Sequence, residues 1–269
     1  MKLQELIDFL HDIAPQHYQE SYDNSGHLVG NADDDIKAVL ISLDVTEDVL
    51  DEAISMGANV IVSHHPIIFS GLKALTSQNY VQRVVQKAIK NDINLFAIHT
   101  NLDNVYYHGV NTYLAEMLGL QDIQILSEKQ GMEDPRQKIG AGAIGTLKES
   151  MDEMTFLSAL KAKMGLNCIK YTHPLGKMIS KVALCGGSGR FLLPEAIKQN
   201  ADIFISSDFK YHEFFDADNQ IVIADIGHFE SEQHTIQMLH EILTNKFNNF
   251  ASHYTKVNTN PVNYLINNG

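Results

Sequence analysis

The strongest constraint on the fold is a transition that occurs three times: a short apolar run ends in a cluster of histidines and carboxylates. Residues 59–63 lead into His64, His65 and Pro66; residues 94–98 lead into His99; residues 220–224 lead into Asp225 through Glu232. Apolar runs of this length read as buried strands. A further strand is expected at 38–44. Helical patterns lie between the runs: 46–56, closing near Gly57, and a second carrying Val81, Val84, Val85 and Ala88. Strands alternating with helices imply βαβ units and a largely parallel sheet. In such sheets binding sites form beyond the carboxyl ends of the strands, which is where the clusters stand.

The flanking segments complete an α/β chain. Leu3, Leu6, Ile7 and Leu10 define an amphipathic first helix ended by Pro15, and 110–118 a helix closed by Gly119. Residues 127–138 are polar, with Gly131 and Pro135, and read as a linker or exposed loop; a strand at 139–147 and a helix at 154–164 follow. There is also an internal echo. Glu52-Ala53-Ile54 precedes strand 59–63 as Glu195-Ala196-Ile197 precedes a strand at 202–206, so that Ser63-His64-His65 lines up with Ser206-Ser207-Asp208. The expectation is two related α/β lobes with largely parallel sheets: 1–126 plus 220–269, carrying the metal site, and 127–219. Chance likeness between two ordinary βαβ units is the competing explanation.

Composition narrows the function. In 269 residues, 44% are hydrophobic and 20% charged, enough to build a core and too few charges for a disordered chain. The net charge of −13 disfavours nucleic acid as a partner, because phosphate binding depends on Lys and Arg. The polar start and the lack of a membrane-length apolar run point to a cytoplasmic protein with no membrane partner. Cys168 and Cys185 are expected as buried, reduced thiols.

The clusters suit metal. Pro66 forces a turn after His65, which lets the two adjacent imidazoles face one cavity or take one metal each. His228 and Glu232, four apart, share a helix face if a helix begins there. Asp103 supplies an oxygen that can bridge two cations; its bland alternative is a helix N-cap. His64, His65, Asp103, His228 and Glu232 are three nitrogen and two oxygen donors, suited to Zn, Mn, Fe, Co or Ni rather than calcium. Five ligands exceed one closed tetrahedral shell and match two divalent ions about 3.5–4 Å apart.

As a set the motifs resemble the Nif-three-like family, whose members are named GTP cyclohydrolase 1 type 2 homolog. The segments that carry the resemblance are Tyr22 through Gly30, His64-His65-Pro66 through Lys73, His99-Thr100-Asn101-Leu102-Asp103, Ser206 through His212, and Gly227-His228 through Ser231-Glu232. It implies a dinuclear metal site on the five residues above, a two-lobed protomer, and a toroidal homohexamer with its sites facing an inner cavity. Some members carry an inserted domain; with only 119–138 between helix 110–118 and the next strand, this chain is expected to be the short form. Tyr22 stands where Trp is common, Ser207 where Gly is usual, and Tyr107-His108-Gly109 where many members have a Gly pair.

Two functions follow. One is a metal-dependent hydrolase of a nucleotide or other phosphate-bearing small molecule, since paired cations acidify water and stabilise developing negative charge. The other is a non-catalytic metal-binding, delivery or scaffold protein. No catalytic acid or base and no organic cofactor site is assigned. Around the ligands, His99 is expected to orient them from behind, to play a structural part, or to serve as a further ligand. Asp23 and Asn24 line the cavity or form a turn, and Lys73 is a solvated lysine or meets an anionic substrate. Asp208 and His212 hydrogen-bond ligands or substrate. Cys185-Gly186-Gly187-Ser188-Gly189 is a tight turn or a phosphate cradle.

Overall fold

A computed structural model describes residues 1–132 and 134–265. Along the chain run α1 (Leu3–Ile13), β1 (Gly26–Val29), β2 (Ala38–Ser42), α2 (Glu47–Met56), β3 (Val60–Ser63), α3 (Tyr80–Lys90), β4 (Asn94–Ala97), α4 (Thr100–Asp103) and α5 (Val110–Leu118). Then follow β5 (Gln121–Glu128), β6 (Gly140–Asp152), α6 (Glu153–Met164), β7 (Lys170–Tyr171), β8 (Met178–Leu184), α7 (Leu193–Lys198) and β9 (Ile203–Ser206). The last are β10 (Val222–Asp225), α8 (His228–Glu232), α9 (His234–Lys246) and β11 (Ala251–Tyr254).

The chain forms two compact units. Met1–Leu102 and His234–Asn260 make the first; Asp103–Gln233 and the tail from Pro261 make the second. These bounds differ from those expected at 126/127 and 219/220. The stretch read as a linker or exposed loop, 127–138, lies within one unit: it includes the end of β5 and the connection to its antiparallel neighbour β6, where Glu128 pairs with Gly140. Strand β10 likewise lies in the second sheet, parallel to β9.

The first unit holds a sheet ordered β1-β4-β3-β2-β11. Its four central and edge strands β4, β3, β2 and β11 run parallel, and β1 joins β4 antiparallel. Strands β2, β3 and β4 are buried along their whole length, which explains their apolar composition, whereas β11 at the edge is largely exposed. Leu40, Ile61 and Leu95 pack on one face with Val49, Leu50 and Ala53 of α2 and Val84, Val85 and Ala88 of α3. Both helices are capped by their own sequence. Thr46 accepts from the Val49 amide, Asn79 from the Gln82 amide, and Gly57 takes the left-handed C-terminal position.

The second sheet is ordered β5-β6-β8-β9-β10-β7. Only β8, β9 and β10 are parallel; β5, β6 and β7 are antiparallel additions. The expectation of a largely parallel sheet therefore holds for the first unit, while the second is mixed. Alternation along its strands sends Ile203, Ile205, Val222 and Ala224 to the core under α6, and Phe204 and Ile223 to the core beside α7. The echo read from sequence is a shared topology. In each unit a β-helix-β pair is followed by a third parallel strand, with an antiparallel strand beyond it: β2-α2-β3 with β4 and β1, and β8-α7-β9 with β10 and β7.

Among the described residues no helix is long and apolar enough to cross a membrane.

Candidate metal centre

Strand register puts the donors of the first unit level. Ser42 pairs with Ser63, and Ser63 with Ala97, so β2, β3 and β4 end flush. Asp44, His64, His65 and His99 emerge from those ends. The rings of His64 and His65 are 5.0 Å apart between centroids, and each lies 5.3 Å from His99. One donor atom from each of the three falls within 4.8 Å of the others. The turn at Pro66 does bring the adjacent imidazoles to one side.

Each ring is fixed by its Nδ1. That atom of His64 lies 2.9 Å from the Ile98 carbonyl, that of His65 2.8 Å from Asp44 Oδ1, and that of His99 2.7 Å from Asp23 Oδ1. An imidazole donating from Nδ1 presents the lone pair of Nε2, the tautomer that binds metal. Burial opposes the charge on Asp23, but the His99 and Thr100 hydrogen bonds outweigh it and bring the carboxyl down to about 2. Asp44 is lowered in the same way by His65 and Thr259, against the cost of its burial. Thr259 donates to Asp44 Oδ2 at 2.6 Å. Asp44 was not singled out from sequence. Its only signal was its place at the end of strand 38–44, the position the histidines occupy on the neighbouring strands.

The second unit repeats the device. His228 opens α8 after Gly227, whose φ of +93° is unfavourable for any side chain. His228 Nδ1 lies 2.6 Å from Asp208 Oδ2 and its Nε2 lies 3.1 Å from Glu232 Oε2, one turn on. Burial alone would lower the His228 pKa; Asp208 and Glu232 instead raise it to about 11, so without metal the ring holds a proton between two carboxylates. Asp208 adopts a left-handed φ of +61°, strain that goes with its reach to His228.

Glu232 is seated against the loop after β8. A Cβ on Gly187, at φ +60°, would stand 2.3 Å from Glu232 Oε1. The amides of that loop are committed internally: Gly186 to Asn111 Oδ1, Gly187 to Ser231 Oγ, and Gly189 to Ser206 Oγ, each at 2.9 Å. It is a carboxylate seat and not a phosphate cradle. Asn111 also donates to the Asp103 carbonyl at 3.1 Å. Asp103 ends the short helix α4, and the cap of α5 is Gly109, so the N-cap alternative for Asp103 falls away. Burial, with Asp103 and Glu232, pushes the Cys185 thiol well up, which keeps it protonated and out of the donor set. Cys168 is exposed, contrary to the expectation that both cysteines are buried.

Of the remaining candidates, Asp208 hydrogen-bonds His228, whereas His212 is exposed and stacks on Phe215. Lys73 is exposed in a segment that is solvated throughout. The donor chemistry fits divalent transition metal: imidazoles anchored through Nδ1 on a carbonyl or carboxylate, with the Glu232 carboxylate beside His228.

The chain is similar to known proteins along nearly its whole length. The model of the family Duf34/NIF3 (NGG1p interacting factor 3) matches residues 1–261. A Clostridium perfringens protein named GTP cyclohydrolase 1 type 2 homolog is 36% identical over 86% of this chain and 87% of its own. The crystal structure of Staphylococcus aureus protein SA1388 superposes with a TM-score of 0.90 at 31% identity, covering 98% of this chain and 99% of that one. A Staphylococcus epidermidis relative with the same cyclohydrolase-homolog name, 27% identical, aligns over 367 positions covering 98% of this chain and 100% of its own. That alignment is longer than the 269 residues present here, as a short family form requires.

Proposed function

The chain belongs to the Duf34/NIF3 family, and from that premise we propose that it is a dinuclear metal protein acting as a metal-dependent hydrolase on a nucleotide or other phosphate-bearing small molecule. The ligands in this reading are His64, His65, Asp103, His228 and Glu232, holding two divalent ions among Zn, Mn, Fe, Co and Ni. The observation that carries it is the anchoring of His64, His65 and His228, each through Nδ1 to a carbonyl or carboxylate oxygen, which directs Nε2 toward a cation. Bound there, the pair would supply Lewis acidity and acidify water near neutral pH. The chain's own part is to orient the donors: Asp44 and Asp208 hold His65 and His228, and Gly187 makes room for Glu232. The Clostridium relative's name points to a purine nucleotide as one substrate of this class. We place the protein in the cytoplasm as a homohexamer, with small molecules and not nucleic acid as partners, in keeping with its net charge of −13.

The test couples metal to turnover. Protein loaded with zinc or manganese should carry up to two ions per chain by elemental analysis, and His65→Ala with Glu232→Ala should carry none. Hydrolysis across a panel of nucleotides and phosphoesters should vanish with the metal. Turnover that persists in the metal-free double variant defeats the reading. A metal-loaded wild type that turns over nothing in the panel reduces it to metal binding for delivery or scaffolding.

A further inference from the structure

Three consecutive side chains of the first unit each tie down a different part of one small region. Asp23 holds His99. Asn24 Nδ2 donates to the Ile68 carbonyl at 2.6 Å, and so fixes the chain that leaves His64-His65-Pro66. The Tyr22 ring lies 6.2 Å from that of Phe69, tilted by 42°. Phe69 in turn stands 6.2 Å from the His99 ring, edge to face at 72°. Tyr22 is 63% exposed and Phe69 48%.

Two large aromatic side chains are therefore held beside the imidazole cluster with much of their surface in water. At 42° they do not cover one another; they make an open corner. Aromatic rings favour offset or edge-on neighbours at centroid separations of about 4.5–7 Å, and a flat third ring can lie on one wall of such a corner with its edge to the other. Another exposed aromatic group, Tyr211, His212 and Phe215 in the second unit, has its rings packed on one another.

We propose that Tyr22 and Phe69 form a subsite for a planar heteroaromatic ring, the base of a nucleotide whose phosphate is directed to the neighbouring metal centre. The phosphate half rests on the metal-hydrolase reading; the base half rests on the aromatic corner alone. Bases stack on aromatic side chains with little regard to identity, because each has a π-face. The subsite thus selects nucleotides over sugar phosphates without selecting one base.

The chain has no tryptophan, so Tyr22→Trp provides a single fluorescent reporter within the corner. Metal-loaded Tyr22→Trp protein is titrated with guanosine 5′-monophosphate and with ribose 5-phosphate. The nucleotide should quench the reporter saturably and bind tighter than the sugar phosphate. Adding Phe69→Ala should weaken it about tenfold or more, while Phe69→Tyr should restore it. Circular dichroism checks that each variant is folded. Equal affinity for the two probes, or no effect of Phe69→Ala, overturns the subsite and leaves the phosphate-metal reading intact. Quenching by guanosine 5′-monophosphate that survives His65→Ala with Glu232→Ala supports the corner and removes the metal from the argument. No quenching by either probe overturns the subsite. A drop in particle mass on Phe69→Ala with nucleotide affinity unchanged assigns the corner to contact between copies and likewise overturns it.

Discussion

His99 Nδ1 lies 2.7 Å from Asp23 Oδ1, across 76 residues of sequence, and the other oxygen of the same carboxylate takes the amide and hydroxyl of Thr100. One aspartate from the loop before β1 thereby fixes the start of α4, the helix that ends in Asp103. The carboxylate is inaccessible to solvent and its pKa is lowered from 3.8 to about 2.

A depressed carboxyl stabilises the fold above its unfolded pKa and loses that contribution as pH falls through the folded value. Asp23→Asn should therefore cost up to about 2 kcal/mol at pH 7. The gap to wild type should close between about pH 4 and 2. Urea melts of both proteins across that range give the comparison; a gap that widens in acid contradicts the assignment.

Asp44 should govern metal affinity without touching metal. Asp44→Asn can no longer hold His65 as an Nδ1 donor to a carboxylate, and loss of such a partner typically weakens binding about 10- to 100-fold. Thr259→Val, which removes only the hydrogen bond to the far oxygen, should have a smaller effect. Chelator competition measures both.

Gly187→Ala should displace Glu232. The new Cβ meets a carboxylate oxygen at 2.3 Å and is forced into a left-handed backbone, a strain of about 1–3 kcal/mol before any clash. Metal content should fall along with the melting temperature, whereas Gly57→Ala, with open space around its Cβ, should lower stability alone.

Metal loading should be coupled to protons. The metal-free His228 ring keeps its proton up to about 11, so occupancy of Nε2 at pH 7 must expel it, and an indicator dye in weak buffer should record the release. In the reverse direction, ligand histidines protonate as acid is added, and metal should leave below roughly pH 6. Retention of both ions at about pH 4 would count against histidine ligands.

Part of this molecule can be read from the chain alone. Local signals set the βαβ order, because apolar runs, Gly57, Gly119 and the helix caps act over a few residues. The same locality exposed the five candidate donors, since His64, His65, Asp103, His228 and Glu232 sit in short polar clusters directly after strands. What lay beyond reach was anything set by pairing across the sequence. The placement of β5, β6 and β10 in one mixed sheet depends on register between distant strands, so the sequence left residues 127–138 open as either a linker or an exposed loop. Asp44 and Asp23 carry no local mark of their roles; only the flush ends of β2, β3 and β4 and the fold of the segment before β1 bring them to His65 and His99. The Gly186–Gly187 loop has the composition of an anion cradle, and only the tertiary structure spends its amides on Asn111 and Ser231 and leaves it as the seat of a carboxylate. Residue type and spacing determine which atoms can bind metal; long-range hydrogen bonds decide which way those atoms point.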